Sequence, residues 1–438
     1  MSILAPLRSK PIALIWSGLA LGAIGDQLYA VALVWMAVAL MGAGAGYLSA
    51  LQAGATLAAA LFGGIWADSW DHRRTMIAAD LLRAAIILAF VALASIAPLS
   101  VAMLIPTALG VAALQAFFRP ALQAILPRLA GDPRQLPATN ALFDATERIA
   151  RLSGPLIVGA LSGIVPVIHF FTLDAVTFLG SAAAVATVGR ALPRRRPRAS
   201  AETARMLSRI GAGIRRGAAA VRAQPLIAYG IGSGGVLNGL WYVVMFLAVP
   251  LVIARRGLAI GAGSGSLGAY AAVMASYGAV NLATNLVVGN RPLPHRPARL
   301  IFSGNAVLGL GLALMGAAMA LLPERWLLPA LMAAAGLAAA GGPMQDIPFA
   351  TLRQTLFAPG DIAAVMRLYM VATQSGLLLG MVAAPPLLTA FGPAAVVLAC
   401  GGGIIMIGAI GLARFGPTAL SPACAPSPIL VPDQSRRL

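Results

Sequence analysis

The chain has 438 residues, of which 60% are hydrophobic and 10% charged, with a mean hydropathy of +0.88. A soluble core of this length cannot bury that much apolar surface, so the bilayer is the solvent and a water-soluble enzyme or binding domain is excluded. The formal charge of +18 sits in short basic loops beside apolar runs, which excludes a nucleic-acid-binding domain and reads instead as a topology signal.

The apolar residues fall into stretches of roughly 20, the length that crosses a ~30 Å hydrocarbon layer as a helix. Helices satisfy their own backbone in lipid, whereas a β-barrel needs alternating segments, and runs such as Leu327 to Gly342 do not alternate. Bounded by charge, Pro and Gly, the runs predict an all-α polytopic membrane protein with twelve transmembrane helices. They fall near 12–40, 46–66, 75–97, 100–118, 136–164, 167–189, 225–251, 265–288, 299–321, 327–345, 363–389 and 392–413. Met1 to Pro11 holds no small-residue cleavage site, so the first run is read as a retained helix rather than a signal peptide.

The longest segment between runs, 190–224, contains Arg194, Arg195, Arg196 and Arg198 and divides the chain six plus six. The expected organisation is an N-terminal six-helix bundle (1–189), a cytoplasmic basic linker (190–224), a C-terminal six-helix bundle (225–413) and a disordered cytoplasmic tail (414–438). Within the linker, Met206 to Val221 spaces arginines among Ile, Leu and Val. It reads either as an amphipathic helix on an anionic leaflet or as a solvated tether. With both termini inside, one side collects Arg8, Lys10, Arg73, Arg74, Arg119, Arg128, Arg134, Arg291, Arg296 and Arg353, and the other keeps only Arg255, Arg256 and Arg325. This predicts a multi-pass protein of a bacterial cytoplasmic membrane, in contact with lipids and monomeric. Cys400 and Cys424 are too few and too badly spaced for a disulfide scaffold or a metal site, and no metal or cofactor is expected.

Between the second and third runs stands Gly63-Gly64-Ile65-Trp66-Ala67-Asp68-Ser69-Trp70-Asp71-His72-Arg73-Arg74. This resembles the signature loop of the major facilitator superfamily, G-x-x-x-D-x-x-G-R-[RK], with Asp68, Arg73 and Arg74 matching and His72 in place of the usual glycine. The resemblance implies a cytoplasmic gate built from Gly64, Asp68, Arg73 and Arg74, in which the acidic residue meets a helix N-terminus or an arginine of the neighbouring bundle and the arginines hold the cytoplasmic interface. Asp80, Arg83 and Arg119 are assigned to the same gate. Ala78 to Ala84, Gly25-Asp26 and Phe118-Arg119-Pro120-Ala121 extend the likeness toward the superfamily's drug and siderophore efflux branch. Arg151-Leu152-Ser153-Gly154-Pro155 with Gly159 is similar to the antiporter motif of exporters, whose Gly and Pro let a helix bend and pack closely; an ordinary kinked packing helix has the same residues. The corresponding loop of the second half, Gly289 to Arg299, lacks an acidic residue, so locking is expected to rely on the first half.

Charges inside the bilayer are costly and need a reason. Asp26 lies past the middle of the first helix and is the coupling candidate, because burial disfavours a charged carboxyl and lets it exchange a proton as access switches. A residue that only fixes helix packing reads the same way. Asp144, Glu147, Arg148 and Arg151 share a face at i, i+3, i+4 and i+7, for internal salt bridging or for substrate. Asp174 belongs near the outer interface, with a structural role favoured. The second half shows no acidic residue deep in a span, because Asp346 and Asp361 fall at or beyond the expected helix ends. Its polar content is Asn238, Trp241 and Tyr242, then Tyr270, Asn281 and Asn285, then Tyr369 and Gln374. The expected cavity draws on Gln27, Glu147, Arg148, Arg151, Asp174, Asn238, Trp241, Tyr242, Asn285 and Gln374, an aromatic and amide lining suited to an amphipathic or aromatic solute.

The leading expectation is proton-coupled export of such a solute, a drug or siderophore, by alternating access. A lysophospholipid transporter of the same fold and a non-transporting membrane sensor are the alternatives. An enzyme is not expected. His72, His169 and His295 are far apart, and neither a nucleophile motif nor a phosphate loop is present.

Overall fold

A computed structural model describes residues 5–67, 71–130, 136–188, 203–259 and 265–417. The described residues form helices and short connections: α1 (Lys10–Met41), α2 (Ala45–Ala67), α3 (His72–Ile96), α4 (Val101–Ala130), α5 (Leu136–Leu161), α6 (Val167–Val188), α7 (Thr203–Arg222), α8 (Pro225–Val243), α9 (Val249–Arg255), α10 (Gly265–Gly289), α11 (Pro297–Leu321), α12 (Glu324–Thr355) and α13 (Pro359–Phe415). A π-helical turn, Val244–Ala248, joins α8 to α9 as one rod. Helix starts carry the expected signals. Pro opens α1, α8, α11 and α13, where a missing N–H costs nothing, and the Asp71 carboxylate caps α3 by accepting from the Arg73 and Arg74 N–H groups.

Nine stretches of the described residues are long and apolar enough to cross a membrane. Lys10–Ala58 holds α1 and most of α2, and Asp361–Phe415 is divided by Gly392, whose φ of 77° turns the chain between two arms of α13. Taken with α5, which carries the charged face, the described helices form a polytopic all-α fold in keeping with the twelve expected runs. Each one runs opposite to the one before, so Lys10, Arg73, Arg74, α7 and Arg296 share one end of the molecule, called here the basic end.

Helices α1–α6 pack among themselves through α1 on α5 and α6, α3 on α4 and α6, and α2 on α4. The second set packs through α11 on α12 and α13, α8 on α13, and α10 on α12. Lipid tails supply no hydrophobic drive between helices, so close backbone approach does the work. At Gly235 on α8, a Cβ would lie 2.6 Å from the Ala372 carbonyl oxygen of α13. The sets meet through α2 on α13 and α5 on α10. At the opposite end they share one core, from Leu28 to Val38 through Met245 to Ile253 to Met381. Trp35 stacks on Tyr270 with centroids 6.4 Å apart, and a Cβ on Gly46 would touch Leu247 and the Met381 carbonyl, both at 2.9 Å. At the basic end the described apolar side chains split into two separate cores, one around Met76, Phe118 and Ile125, the other around Ile227, Phe302 and Phe349. Among the described residues the two sets therefore share a core at one end and keep separate cores at the other.

Several boundaries differ from expectation. α4 continues to Ala130, so Phe118-Arg119 lies inside a helix rather than after one. α12 runs ten residues past 345 with Pro343 and Pro348 inside it, and α13 begins at Pro359, which puts Arg367 two turns into the helix. Asp346 consequently lies within a span, which corrects the expectation that the second half has no acidic residue there. In the linker, α7 packs on α13: a Cβ on Gly217 would lie 2.6 Å from the Ala364 carbonyl, and Arg216 Nε donates to Asp361 at 2.6 Å.

Candidate functional site

Asp26 stands midway along α1, with its side chain 29% exposed. Gln115 Nε2 of α4 donates to its Oδ2 at 3.3 Å, and the Arg83 guanidinium of α3 is 3.9 Å from Oδ1. Arg83 is itself buried and paired with the fully buried Asp80 one turn away. Its guanidinium lies over Phe178 at 4.1 Å and Phe118 at 4.8 Å. Cation–π contact on both rings holds the charge where water does not reach. Asp80 and Arg83 thus belong to a buried network with Asp26, which corrects their assignment to the gate.

Asp174 of α6 is fully buried, and Thr177 Oγ1 donates to its Oδ1 at 3.4 Å. It lies beside α1, since a Cβ on Gly25 would be 2.6 Å from Asp174 Oδ1. Neither Asp174 Oδ2 nor the nearby Tyr29 hydroxyl has a hydrogen-bond partner among the described residues. Asp174 is a core residue on the α1–α6 seam rather than part of an open cavity wall.

On α5, Glu147 pairs with Arg119 of α4 at 3.4 Å and with Arg151 at 3.8 Å. Glu147 and both arginines are well exposed, so this triad faces open space. The side chains of Asp144 and Arg148 are outside the described residues. One turn beyond Arg151, a Cβ on Gly154 would collide with Gln27 Cβ and lie 3.2 Å from its Cγ. This glycine therefore seats α5 against α1 beside Asp26, with Pro155 buried next to it. Gly159, five residues on and on a different face, seats α5 against α10, its Cβ position 3.4 Å from Ala271 Cβ.

The gate motif is only partly described. Asp68 lies outside the described residues, and Gly64 is in the last turns of α2. Arg73 Nη2 donates to the Ala186 carbonyl at 2.6 Å and Nε to the Val185 carbonyl at 3.4 Å, so it ties α3 to the end of α6 within one set. Arg74 is exposed.

In the second set, Trp241 packs edge-on against Tyr242 at 4.9 Å and Phe246 at 5.5 Å, and against Tyr277 of α10 at 5.6 Å. All four are only partly buried, and Arg151 acts on Tyr242 electrostatically across the gap between the sets. Asn238 donates to the Thr373 carbonyl of α13 at 3.0 Å, while Asn285 donates to the Asn281 side chain one turn earlier on the same helix at 2.9 Å. Gln374 is half-buried on α13. Tyr270 is fully buried in the closed end rather than in a lining.

Two charged residues were missed. Arg353 is buried, with its guanidinium 3.6 Å from the Tyr369 ring centroid and 4.8 Å from that of Phe349. Asp346 is exposed inside the span. It lies one turn beyond Gly342, whose Cβ position is 3.8 Å from the Tyr277 hydroxyl, and it acts electrostatically on Tyr277, Tyr369 and Arg353. The first set thus holds Asp26, Gln115, Glu147 and Arg151 as partly or fully exposed polar side chains, and the second holds Trp241, Tyr242, Tyr277 and Asp346. Such a combination can bind a solute carrying both an apolar body and polar or charged groups. No group of His, Cys, Asp and Glu among the described residues is arranged to hold a metal ion.

The family described as Major Facilitator Superfamily matches residues 15–322. No curated protein matches the chain. The solved structures it is similar to include a POT family transporter in complex with a thioalcohol conjugated peptide, at 13% identity and TM-score 0.67, covering 92% of this chain and 96% of that one. The peptide transporter POT in complex with alafosfalin, at 15% identity and TM-score 0.67, covers 92% and 94%. Tetrameric PepTSo2, at 16% identity and TM-score 0.60, covers 93% and 97%. At these identities the likeness is one of fold.

Proposed function

The chain belongs to the Major Facilitator Superfamily, and from that premise we propose a proton-coupled, alternating-access exporter of a small amphipathic solute. The observation that carries this reading is Asp26: a carboxylate midway along α1, 29% exposed and tied to a buried arginine. Protonation of Asp26 removes its attraction for Arg83 and with it a charge that must otherwise be hydrated. The protonated form is the one able to pass into a closed, dry environment. A single carboxyl that is wet in one state and dry in the other couples proton movement to the rocking of two bundles. With the basic end taken as cytoplasmic, the separated cores there correspond to an inward-open state, and solute enters from the cytoplasm.

Outward direction and a drug or siderophore cargo rest on the Gly154-Pro155 motif and the efflux-branch likeness of residues 78–84 and 118–121. The aromatic cluster around Trp241 supports an amphipathic or aromatic solute. The peptide cargo of the structural neighbours is a property of those proteins, so dipeptides enter the test as one arm. The protein in proteoliposomes with an imposed pH gradient should drive transport of at least one member of a panel of dyes, drugs, siderophores and dipeptides. Asp26→Asn should remove gradient-driven transport while leaving exchange of labelled for unlabelled solute. Undiminished gradient-driven transport by that variant ends the proposed coupling role, and movement of dipeptides alone ends the efflux reading.

A further inference from the structure

A second site lies away from the passage, at the basic end between α11 and α13. A cavity of about 930 Å³ opens there. Its wall includes His295, Arg296 and Arg299 from the start of α11, Ser303 one turn on, and Leu412 and Gly416 from the end of α13. Among the described residues none that lines it is acidic. Arg299 Nε donates to the Gly416 carbonyl at 3.0 Å, which clamps the guanidinium across the mouth and leaves its other N–H donors uncommitted by that bond. α11 begins at Pro297, so its first-turn N–H groups, which have no helical acceptor, add positive potential at the same place.

The surface above the cavity is apolar. On α11, Leu310 and Leu314 follow Ser303 at intervals of seven and four, and all three share a face. On α13, Met406 and Ile410 precede Ala413 at intervals of seven and three. Leu310, Leu314, Met406 and Ile410 are all exposed, whereas their neighbours Leu308, Leu312 and Ile404 are buried between helices. A groove with an oily length and a cationic mouth thus runs from mid-membrane to the basic end along the α11–α13 seam.

We propose that this groove binds one phospholipid with an anionic headgroup. The headgroup phosphate is held by Arg296, Arg299 and His295, and the acyl chains lie against Leu310, Leu314, Met406 and Ile410. Arginines that served only to fix topology would need neither a cavity nor a clamp to backbone. A basic pocket between membrane helices on the cytoplasmic side is the arrangement that selects anionic headgroups over zwitterionic ones. The site is independent of the proposed cargo.

Native mass spectrometry of the full chain, titrated with phosphatidylglycerol or phosphatidylcholine, tests this. Phosphatidylglycerol should be retained preferentially, with its affinity falling about fivefold for each arginine removed in Arg296→Gln and Arg299→Gln. Arg291→Gln, in the same loop but outside the cavity, should leave it unchanged. Ser303→Phe, which fills the groove without altering charge, should also lose the lipid. Millimolar inorganic phosphate should not displace it. Equal retention of the two lipids, equal loss in Arg291→Gln, or displacement by inorganic phosphate each overturns the proposal. The last of these outcomes would identify a free-anion site.

Discussion

Arg83 on α3 stands 3.9 Å from Asp26 on α1 while paired with Asp80 on its own helix, so one buried cation answers to two carboxylates on different helices. The Asp80 pair is fixed by its spacing and by burial. The Asp26 pair is longer and half-exposed, so it is the contact that can open and close. Breaking a buried pair from one side leaves an uncompensated charge and costs ~3–5 kcal/mol. Arg83→Met should therefore lower the melting temperature in detergent sharply, and Asp80→Asn in the same chain should recover much of the loss. If the double variant is no more stable than Arg83→Met, the pair is not what holds this region.

Gly154 makes a prediction that separates packing from chemistry. Its Cβ position clashes with Gln27 Cβ, so Gly154→Ala must push α5 from α1 next to Asp26. Overpacking of this kind costs ~1–3 kcal/mol, and transport should fall with it. Since the obstruction is the Gln27 Cβ, Gln27→Gly should restore packing and part of the transport in Gly154→Ala, whereas Gln27→Ala should not. Equal rescue by both would show that the Gln27 side chain beyond Cβ is the obstacle.

Much of this architecture could be read from hydropathy, because each span needs its own apolar run and the bilayer sets its length. Helix ends were harder. Pro343 and Pro348 look like terminators, yet α12 passes through both, since a membrane bundle lets neighbouring groups satisfy the freed carbonyls. That error hid Asp346 by assigning it to a helix end. The Asp80–Arg83 pair was visible as an i, i+3 spacing, but its link to Asp26 was not, because it depends on how closely α1 and α3 sit against α6. Likewise Asn238 looks like a cavity residue by composition and turns out to bond across the α8–α13 pair. Sequence shows that a polar group is in the membrane, and only packing shows which way it is satisfied.

Closure at the end opposite the arginines makes a direct test of alternating access. The Gly159 Cβ position on α5 lies 3.4 Å from Ala271 Cβ on α10, near the ~3.5–4.5 Å separation of a disulfide. With Cys400 and Cys424 replaced by Ser, Gly159→Cys with Ala271→Cys should cross-link under mild oxidant. Transport should stop and return on reduction, because the end that must open is pinned shut. A cross-linked protein that still transports at the uncross-linked rate would rule out opening at this end.

Asp346 offers the last test, and it turns on where the passage opens. α12 buries Arg353 against Phe349 and Tyr369, but Asp346, two turns earlier, is exposed although it lies inside a span. An exposed carboxylate there faces either lipid or the water-filled gap between the sets. Asp346 lies 22 residues, ~33 Å, along α12, near the basic-end edge of a ~30 Å hydrocarbon layer, where the water-filled gap hydrates a carboxylate far better than lipid does. In the single-cysteine variant Asp346→Cys, a membrane-impermeant thiol reagent applied from the basic side should therefore react readily. The native Cys400, buried between helices, should stay unlabelled when it is the sole cysteine. Pinning the opposite end through positions 159 and 271 should leave labelling from the basic side intact, because that bond holds the basic end open. Protection of Asp346→Cys from aqueous reagent on both sides would move this residue to the lipid face and take the second wall of the passage with it.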